Sequence, residues 1–400
     1  MRNFAKLSLF AAAALTLAAC GKQEAASTAP AGASASTAAS PAAGAVETIK
    51  IGQVSPLTGP ISHLGKDVEF GAKLAIEDLN AEGVEIGGKK VKFELVSEDD
   101  QGDPKIGTQV AQRLIDAGVA GVVGHLNSGT TIPASRIYAE AGIPQISPSA
   151  TNPDYTRQGY KTTFRMIAND VQQGTALGQF AVDTLKAKTV AVVDDRTAYG
   201  QGLADEFAKA ITAKGGKVVK REFTTNTATD FNAILTAIKG AQPDVVFYGG
   251  MDAQAGPMAK QMKRLGIKAR LMGGDSMQTP EFIKLAGDAA ESLYASACGL
   301  PRDKMPGFAA FSSKFQSKFN TEIQVFSPYE YDAVHVLVEA MKRAGSSDPK
   351  KYLPEVGKTN YTGVTGKVSF DANGDINNGA VTVYQVKNGK WQVVSTVGGA

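Results

Sequence analysis

The main constraint on the fold is a rhythm in which short β-rich runs alternate with segments of helical period. Between Thr48 and Ile146 the apolar residues follow a strand pattern and then a helix pattern in turn. This alternation predicts a parallel, doubly wound sheet with helices on its faces. The predicted strands are Ile49–Val54, Val91–Ser97, Val119–Val123 and Ile143–Ile146, and the predicted helices are Val68–Asn80, Ile106–Ala117 and Pro133–Ala141, with Pro133 in the first turn.

The rhythm starts again further along the chain, which predicts a second α/β unit with its own sheet. Two doubly wound lobes that face each other form a cleft, and ligands bind there at the carboxyl ends of the strands. The C-terminal third, with a helix at Tyr331–Arg343 and strands at Val381–Val386 and Trp391–Ser395, is expected to complete one or both lobes. The second unit has predicted strands at Thr189–Asp194, Val218–Phe223, Val245–Tyr248 and Arg270–Met272, and predicted helices at Gln172–Leu185, Gln201–Ala213, Phe231–Lys239 and Ala255–Leu265.

The first residues of the chain predict export. Arg2 and Lys6 form a short basic region, and the apolar run Leu7–Leu17 is too short to span a bilayer as a helix. Small residues then precede Cys20, and the pattern resembles a bacterial lipoprotein signal over residues 1–19, with lipid attached to Cys20. An ordinary signal peptide with an incidental cysteine is the alternative.

The cysteine and the stretch after it, residues 20–46, are rich in Ala, Ser, Thr, Pro and Gly. Such a composition cannot bury a core and predicts a flexible tether. About 350 residues remain, enough for one large or two medium domains. The sequence therefore predicts a folded body in the periplasm or cell envelope, anchored to a membrane by lipid.

The composition argues against several classes of protein. The formal net charge of +3 is nearly balanced, so no nucleic-acid partner is expected. Cys298 is the one cysteine after the tether, so it cannot close an intrachain disulfide, and we expect a buried packing residue. There is no GxSxG, HExxH or phosphate-loop motif, and the three histidines lack metal-ligand spacing. An enzyme is not expected, and no catalytic residue, metal or cofactor is predicted.

The segment Gly124–Tyr155 carries two groups of small hydroxyl residues, each after an apolar run. We expect both groups in polar loops at helix starts, where free backbone N–H groups bind anions. Hydroxyls add donors without charge, and no Lys or Arg precedes Arg136, so a small neutral or zwitterionic molecule fits best. The groups are Ser128, Thr130 and Thr131, and then Ser147, Ser149 and Thr151.

Asp275 follows two glycines after a predicted strand. The glycines let the backbone approach a ligand closely, and a carboxylate there can pair with an ammonium. A helix N-cap, with Ser276 next in the chain, is the alternative on these residues alone. Tyr199, Met251 and Phe326 line a pocket in one interpretation and belong to the core or the rim in the other.

Three further signals have structural interpretations. The acidic run Glu98–Asp100 is expected to be a solvated loop, and His125 is expected to be a structural hydrogen-bonding residue. Asp371–Asp375 has the acidic spacing of a calcium loop, but its glycine is misplaced, so a turn between strands is predicted.

Seven segments in order, from about Glu47 to Trp391, carry a family resemblance over almost the whole chain. On these segments the chain resembles the periplasmic leucine/isoleucine/valine-binding protein family, the receptors of branched-chain amino-acid ABC importers. This coverage is more specific than any single motif. The segments are Pro56–Pro60, Gly124–Ser128, Pro133–Ser135, Ile146–Thr151, Tyr199–Gly202, Tyr248–Gly250 and Tyr331–Val334.

The resemblance implies the type I periplasmic-binding fold, in which two Rossmann-like, doubly wound α/β lobes are joined by a three-strand hinge. We expect an N-terminal lobe of residues 47–169 plus 299–375. We expect a C-terminal lobe of residues 170–298 plus 376–400.

The resemblance also implies how a ligand is held. The α-carboxylate is held at the positions of Ser128 and Thr151, and the α-ammonium by a backbone carbonyl at Ser149, by Thr151 and by an acidic residue at Asp275. This favours the ligand role of Asp275 over the N-cap. Further residues surround the ligand or close over its side chain, so that the implied ligand-binding set is Leu64, Leu126, Ser128, Ser149, Ala150, Thr151, Tyr199, Met251, Asp275 and Phe326.

The implied function is an extracytoplasmic solute-binding protein that captures a free L-α-amino acid, above all Leu, Ile or Val, for an ABC permease in the inner membrane. Leu64 and Met251 replace aromatic residues of many relatives, and Asp275 replaces Glu, which leaves the preferred side chain open. A monomer is expected, with the lipid anchor as its membrane contact. The alternative is a ligand sensor of the same fold that binds an amide, urea or an aromatic acid for a signalling or regulatory partner.

Overall fold

Two large β-sheets flanked by helices organise residues 46–399, the part of the chain that the computed structural model describes. The predicted signal peptide, the lipidation of Cys20 and the tether up to Ala45 lie outside the described residues. The predicted α/β class and the two separate sheets are confirmed.

The first sheet is built from residues 47–165. It comprises β1 (Glu47–Ser55), α1 (Ser62–Glu82), β2 (Glu85–Ile86), β3 (Lys89–Asp99), α2 (Pro104–Asp116), β4 (Gly121–Gly124), α3 (Ser128–Ala141), β5 (Gln145–Ser147), α4 (Asp154–Arg157) and β6 (Thr163–Arg165). The strand order is β2–β3–β1–β4–β5–β6, and all neighbours are parallel except β2 and β3. Gly87 and Gly88 join that antiparallel pair with φ angles of 58° and 77°, a two-residue turn that side-chain-bearing residues rarely adopt.

The second α/β unit follows directly. It comprises α5 (Asp170–Gln179), continued by a π-helical turn at Phe180–Thr184, then β7 (Thr189–Asp194), α6 (Ala198–Ala213), β8 (Lys217–Phe223), α7 (Asn232–Ala241), β9 (Val245–Gly249), α8 (Asp252–Arg264), β10 (Arg270–Gly273), α9 (Pro280–Ala286) and β11 (Tyr294–Ala297). Short 3-10 turns lie at Asp275–Met277, Gly287–Ala290 and Arg302–Lys304. Every residue of β9 and β11 is buried, as in parallel strands with helices on both faces.

The C-terminal third returns to both sheets, as predicted. It comprises α10 (Phe308–Phe319), α11 (Ser327–Ala344), α12 (Pro349–Gly357), a small antiparallel pair of β12 (Tyr361–Thr362) and β13 (Lys367–Val368), then β14 (Val381–Lys387) and β15 (Lys390–Val397). Helix α11 packs against α1 so closely that a Cβ on Gly71 would meet Ser327 O at 2.3 Å. Strand β14 pairs antiparallel with β11, so the second sheet has the order β15–β14–β11–β10–β9–β7–β8.

The structure corrects the predicted starts of five helices: α1 begins at Ser62 and α11 at Ser327, and the other three corrections share a cause. Helix α3 begins at Ser128 after the cap residue Asn127, so Pro133 lies inside the helix and not in its first turn. Helix α6 begins at Ala198, because the Thr197 hydroxyl accepts from the Gly200 N–H, and α8 begins at Asp252. In each case the first turn is polar or small, so apolar periodicity could not detect it.

The chain passes between the two sheets three times. The passages follow β6, follow β11, and lie between β13 and β14. The first and third passages touch where Arg165 and Asp375 form an isolated bridge. Within residues 46–399 no helix is both long and apolar enough to cross a membrane.

Candidate functional site

Six hydroxyl side chains lie near the carboxyl ends of the neighbouring strands β4 and β5. Four of them donate to backbone carbonyls, which corrects the expectation that both groups offer free donors in loops. Thr131 Oγ1 donates to Asn127 O at 2.7 Å, and Ser147 Oγ donates to His125 O at 2.8 Å. Such bonds hold the local backbone in shape. The other two are Thr130, which donates to Asn127 O at 3.1 Å, and Ser149, which donates to Leu126 O at 2.9 Å.

The remaining hydroxyls belong to Ser128 and Thr151. Ser128 Oγ accepts from the Asn152 N–H at 3.2 Å, which leaves its own proton to donate elsewhere. Thr151 Oγ1 is buried and makes no well-formed hydrogen bond with the rest of the described chain. A buried hydroxyl without a partner is costly, so such a group is expected to meet a ligand or water. These are the two hydroxyls that the resemblance assigns to a ligand carboxylate.

The backbone beside these hydroxyls is held rigidly. Ser147 Oγ accepts from the Ala150 N–H at 2.9 Å. Arg165, fully buried, donates through Nη1 to Ala150 O at 2.6 Å and to Asn152 O at 2.9 Å, and through Nε to Asp375 Oδ1 at 2.8 Å. The guanidinium therefore shapes the segment without facing a ligand itself.

Asp275 lies after the carboxyl end of β10 and is fully buried. Its Oδ1 accepts from Tyr199 OH at 2.8 Å and from Gln173 Nε2 at 2.9 Å, whereas Oδ2 has no hydrogen-bond partner. Burial raises the pKa of Asp275, although the bonds from Gln173 and Tyr199 act against the rise. Thr279 supplies the cap of α9 by accepting from the Phe282 N–H at 2.8 Å, so that helix does not depend on Asp275.

Gln173 is a residue of this site that the sequence did not reveal. Its Nε2 donates both to Asp275 and to the Sγ of Cys298. Cys298 is buried and unpaired, as predicted, and burial, with the charge of Asp275, raises the pKa of its thiol. The local signal near Gln173 is the capping box of Asn169 and Gln172, which marks the start of α5 and says nothing about a ligand.

The residues predicted to surround the side chain of the ligand form an apolar region. Each side chain is at most 6% exposed, and all belong to one continuous cluster of buried apolar residues that draws on both sheets. Leu64 comes from α1, while Met251 and Phe326 immediately precede α8 and α11. The structure thus brings residues far apart in the chain into one cluster, namely Leu64, Leu126, Tyr199, Met251 and Phe326.

Two direct contacts join the halves around this site. His63 Nε2 lies 2.7 Å from Asp252 Oδ2, and Asn152 Nδ2 donates to Ala198 O at 2.7 Å. His63 and Asn152 belong to the first-sheet side, whereas Asp252 and Ala198 begin helices of the second. In this arrangement of the two halves, Asp275 has no exposed surface.

Two other predicted features are structural. His125 bonds to Asp100 Oδ2 at 2.9 Å and to Tyr138 OH at 3.1 Å, which confirms the structural interpretation of this histidine. It also corrects the expectation of a solvated acidic loop, because Asp100 is fully buried against His125. The Asp371 carboxylate accepts from the Asn373 N–H at 2.8 Å, as in the predicted turn, and no metal-binding cluster occurs among residues 46–399.

Comparisons with known proteins match most of the chain. A family model described as periplasmic binding protein matches residues 48–390. The Leu/Ile/Val-binding protein homolog 1 of Brucella abortus (strain 2308) is 40% identical over 330 residues, 82% of this chain and 87% of the relative. A solved leucine-binding protein from Thermotoga maritima MSB8 has a TM-score of 0.81 and 31% identity, covering 87% of this chain and 98% of its own. A branched-chain amino acid transporter substrate-binding protein from Streptococcus pneumoniae, solved with isoleucine, has a TM-score of 0.78 and 29% identity, covering 88% of this chain and 99% of its own.

Proposed function

We propose a ligand for this chain on the premise that it belongs to the periplasmic binding protein family, among the members that bind branched-chain amino acids. Its relatives are solute-binding proteins of transporters, and a solute-binding role follows for this chain. The proposal is that the solute is a free L-α-amino acid, branched-chain leucine, isoleucine or valine above others, held between the two sheets.

The observation that carries this proposal is the unpartnered Oδ2 of Asp275. A carboxylate that is fully buried and only half hydrogen-bonded is costly unless a cation completes it. Neighbouring donors are Tyr199 and Gln173, which are neutral and occupy Oδ1 alone. An ammonium group fits the vacant side of this carboxylate by charge-assisted hydrogen bonding.

The opposite end of an α-amino acid finds donors on the first sheet. Ser128 keeps an uncommitted hydroxyl proton, Thr151 makes no well-formed hydrogen bond, and no cationic side chain in the described chain is directed at them by a hydrogen bond. Neutral donors suit a carboxylate whose charge is already balanced by the ligand's own ammonium. The arrangement therefore supports a zwitterion over a phosphate or a simple anion.

The apolar cluster supports an aliphatic side chain on the ligand. Leu64, Met251 and Phe326 offer surface without hydrogen-bonding side chains, and burial of a leucine-sized group there contributes about 1.5–3 kcal/mol. Together with a paired zwitterion, this is consistent with a micromolar dissociation constant, equivalent to about −8 kcal/mol.

The remaining parts of the proposal concern organisation and location. Sheet membership supports an N-terminal lobe of residues 47–169 plus 299–375 and a C-terminal lobe of 170–298 plus 376–400. Motion of the two lobes about the three passages admits and encloses the ligand. We propose that the closed monomer, tethered in the periplasm by lipid on Cys20, delivers the amino acid to an inner-membrane ABC permease.

The test is a thermal-shift screen of the purified protein against the twenty amino acids, aliphatic amides, urea and benzoate, followed by calorimetry. We expect stabilisation by leucine, isoleucine or valine. Stabilisation by benzoate, urea or an amide alone would favour the sensor alternative, and the absence of any amino-acid response would discard the proposal.

A further inference from the structure

A second buried carboxylate lies beside the site around Asp275. Asp170 is the first residue of α5, is fully buried, and has no well-formed hydrogen bond on either carboxylate oxygen. Its backbone N–H donates to Thr151 O at 2.9 Å, which fixes it next to one of the two uncommitted hydroxyls. Buried carboxylates normally have partners, so this one requires an explanation.

Asp170 and Asp275 share Gln173 as a neighbour. Gln173 follows Asp170 by three residues in α5, so the two side chains lie on the same face of the helix. Gln173 Nε2 donates to Asp275 Oδ1, and Gln173 Oε1 has no partner. On the far side, a Cβ on Gly202 would lie 3.2 Å from Asp170 Oδ2, so α6 covers Asp170 closely.

The charges around Asp170 supply no cation for it. Burial raises the pKa of Asp170 to about 8; the negative charges of Asp275 and Glu206 add to the rise, while the Thr151 hydroxyl and Arg165 oppose it. Arg165 is committed to backbone carbonyls and to Asp375.

Two further titratable groups interact with Asp170, and neither can become a cation. They are the phenol of Tyr199 and the thiol of Cys298, whose pKa values burial raises well above their usual range. No side chain among residues 46–399 therefore supplies a cation to Asp170 by a hydrogen bond.

We propose that Asp170 is a second carboxylate for the ligand's ammonium, acting together with Asp275 and Thr151. The inference rests on the proposed amino-acid ligand and specifies its class. The three side chains offer unoccupied acceptors for three N–H donors, the number on a primary ammonium. The site then selects primary α-amino acids over N-alkylated ones, which have fewer donors.

The test compares two ligands on the full-length protein by titration calorimetry. L-Leucine carries the ammonium, and (S)-2-hydroxy-4-methylpentanoate replaces it with a hydroxyl. We expect Asp170→Asn to lower the affinity for leucine at least about tenfold. It should change the affinity for the hydroxy acid less than about threefold, because the lost interaction is with the positive charge of the ammonium. Asp332→Asn is the matched control, since Asp332 is equally buried but accepts from the backbone of Val364 and Thr365.

A second measurement needs no variant. On the wild-type protein, N-methyl-L-leucine should bind at least about tenfold more weakly than leucine, because one acceptor loses its donor. The inference is overturned if Asp170→Asn lowers the affinities for leucine and the hydroxy acid equally, or if the wild-type protein binds leucine and N-methyl-L-leucine equally well. Either result leaves the proposed function intact. Failure of leucine to bind the wild-type protein overturns both.

Discussion

His63 Nε2 lies 2.7 Å from Asp252 Oδ2, so a titratable pair joins α1 on the first-sheet side to α8 on the second. Asp252 is fully buried and also accepts from Thr279 Oγ1 at 2.6 Å, whereas His63 keeps 21% of its side chain exposed. The pair therefore holds the two halves together in a manner that depends on the protonation of one accessible histidine.

The contact between His63 and Asp252 makes the stability of the protein depend on pH. Burial lowers the pKa of His63, but the hydrogen bond and charge of Asp252, with Glu281 and Asp67, outweigh it and raise the pKa above 6.5. A raised pKa means that the stabilisation is complete below pH 6.5 and is lost as the pH rises through the folded-state value. Urea unfolding between about pH 5.5 and 8.5 should show wild type losing more stability than His63→Gln over this range.

His335 provides the control. Burial lowers the pKa of His335 to about 4, so its contribution is lost as the pH falls from 6.5 and is constant above it. His335→Gln should therefore follow wild type above pH 6.5. If the unfolding free energy of His63→Gln also changes with pH as the wild type does above pH 6.5, the pair of His63 and Asp252 contributes nothing to stability.

Asp275→Ala should weaken leucine binding by at least about 2 kcal/mol, because the ammonium loses a buried charged partner. Calorimetry on the folded variant measures this directly. Asp332→Ala removes an equally buried carboxylate that bonds to the backbone, and it should lower stability without changing affinity. Unchanged affinity in Asp275→Ala would remove Asp275 from the ligand site.

Two threonines from the same segment allow a paired test of the carboxylate subsite. Thr151→Val should cost about 1–2 kcal/mol of binding free energy and little stability, because its hydroxyl makes no well-formed hydrogen bond within residues 46–399. Thr131→Val should cost about 1 kcal/mol of unfolding free energy and no binding, because its hydroxyl donates to His125 O and Asn127 O. The opposite pattern would contradict the assignment of the free hydroxyl to the ligand.

Asp375→Asn should destabilise the protein by about 3 kcal/mol, because it leaves the buried Arg165 without its countercharge. Denaturant unfolding of the variant and the wild type measures this change in unfolding free energy. The control is Asp183→Asn, whose partner Lys214 is exposed, and which should change stability by less than about 0.5 kcal/mol. Similar effects of the two substitutions would show that the Arg165 pair is not a structural anchor.

Much of the fold could be predicted from apolar periodicity. Thr189–Asp194 coincides with β7, and Ile49–Val54 lies within β1, because buried parallel strands are continuous apolar runs. Apolar periodicity does not detect the start of α3, because Ser128 and the residues after it are small or polar. The acidic run predicts a solvated loop at Asp100, because its buried partner His125 lies 25 residues further along the chain and no local pattern indicates the contact.

The candidate site was accessible to sequence reasoning only in part. The sequence itself indicates Ser128, Thr151 and Asp275 as candidates, a family resemblance assigns their roles, and the structure shows them with unused hydrogen-bonding capacity. Gln173 and Asp170 were not found, because an Asn-capped helix start explains both locally. Their relation to Asp275, more than a hundred residues away, depends on how two sheets meet.

The close packing of α11 on α1 has a consequence for biosynthesis. One face of the first sheet is covered by a helix that is translated only after the whole parallel core of the second sheet has emerged. Neither half can finish folding on the ribosome while the chain is incomplete. Until Ser327 and the turns after it have been synthesised, the face of α1 that packs on α11 stays uncovered, so the helical layer on this side of the first sheet is completed only late in translation.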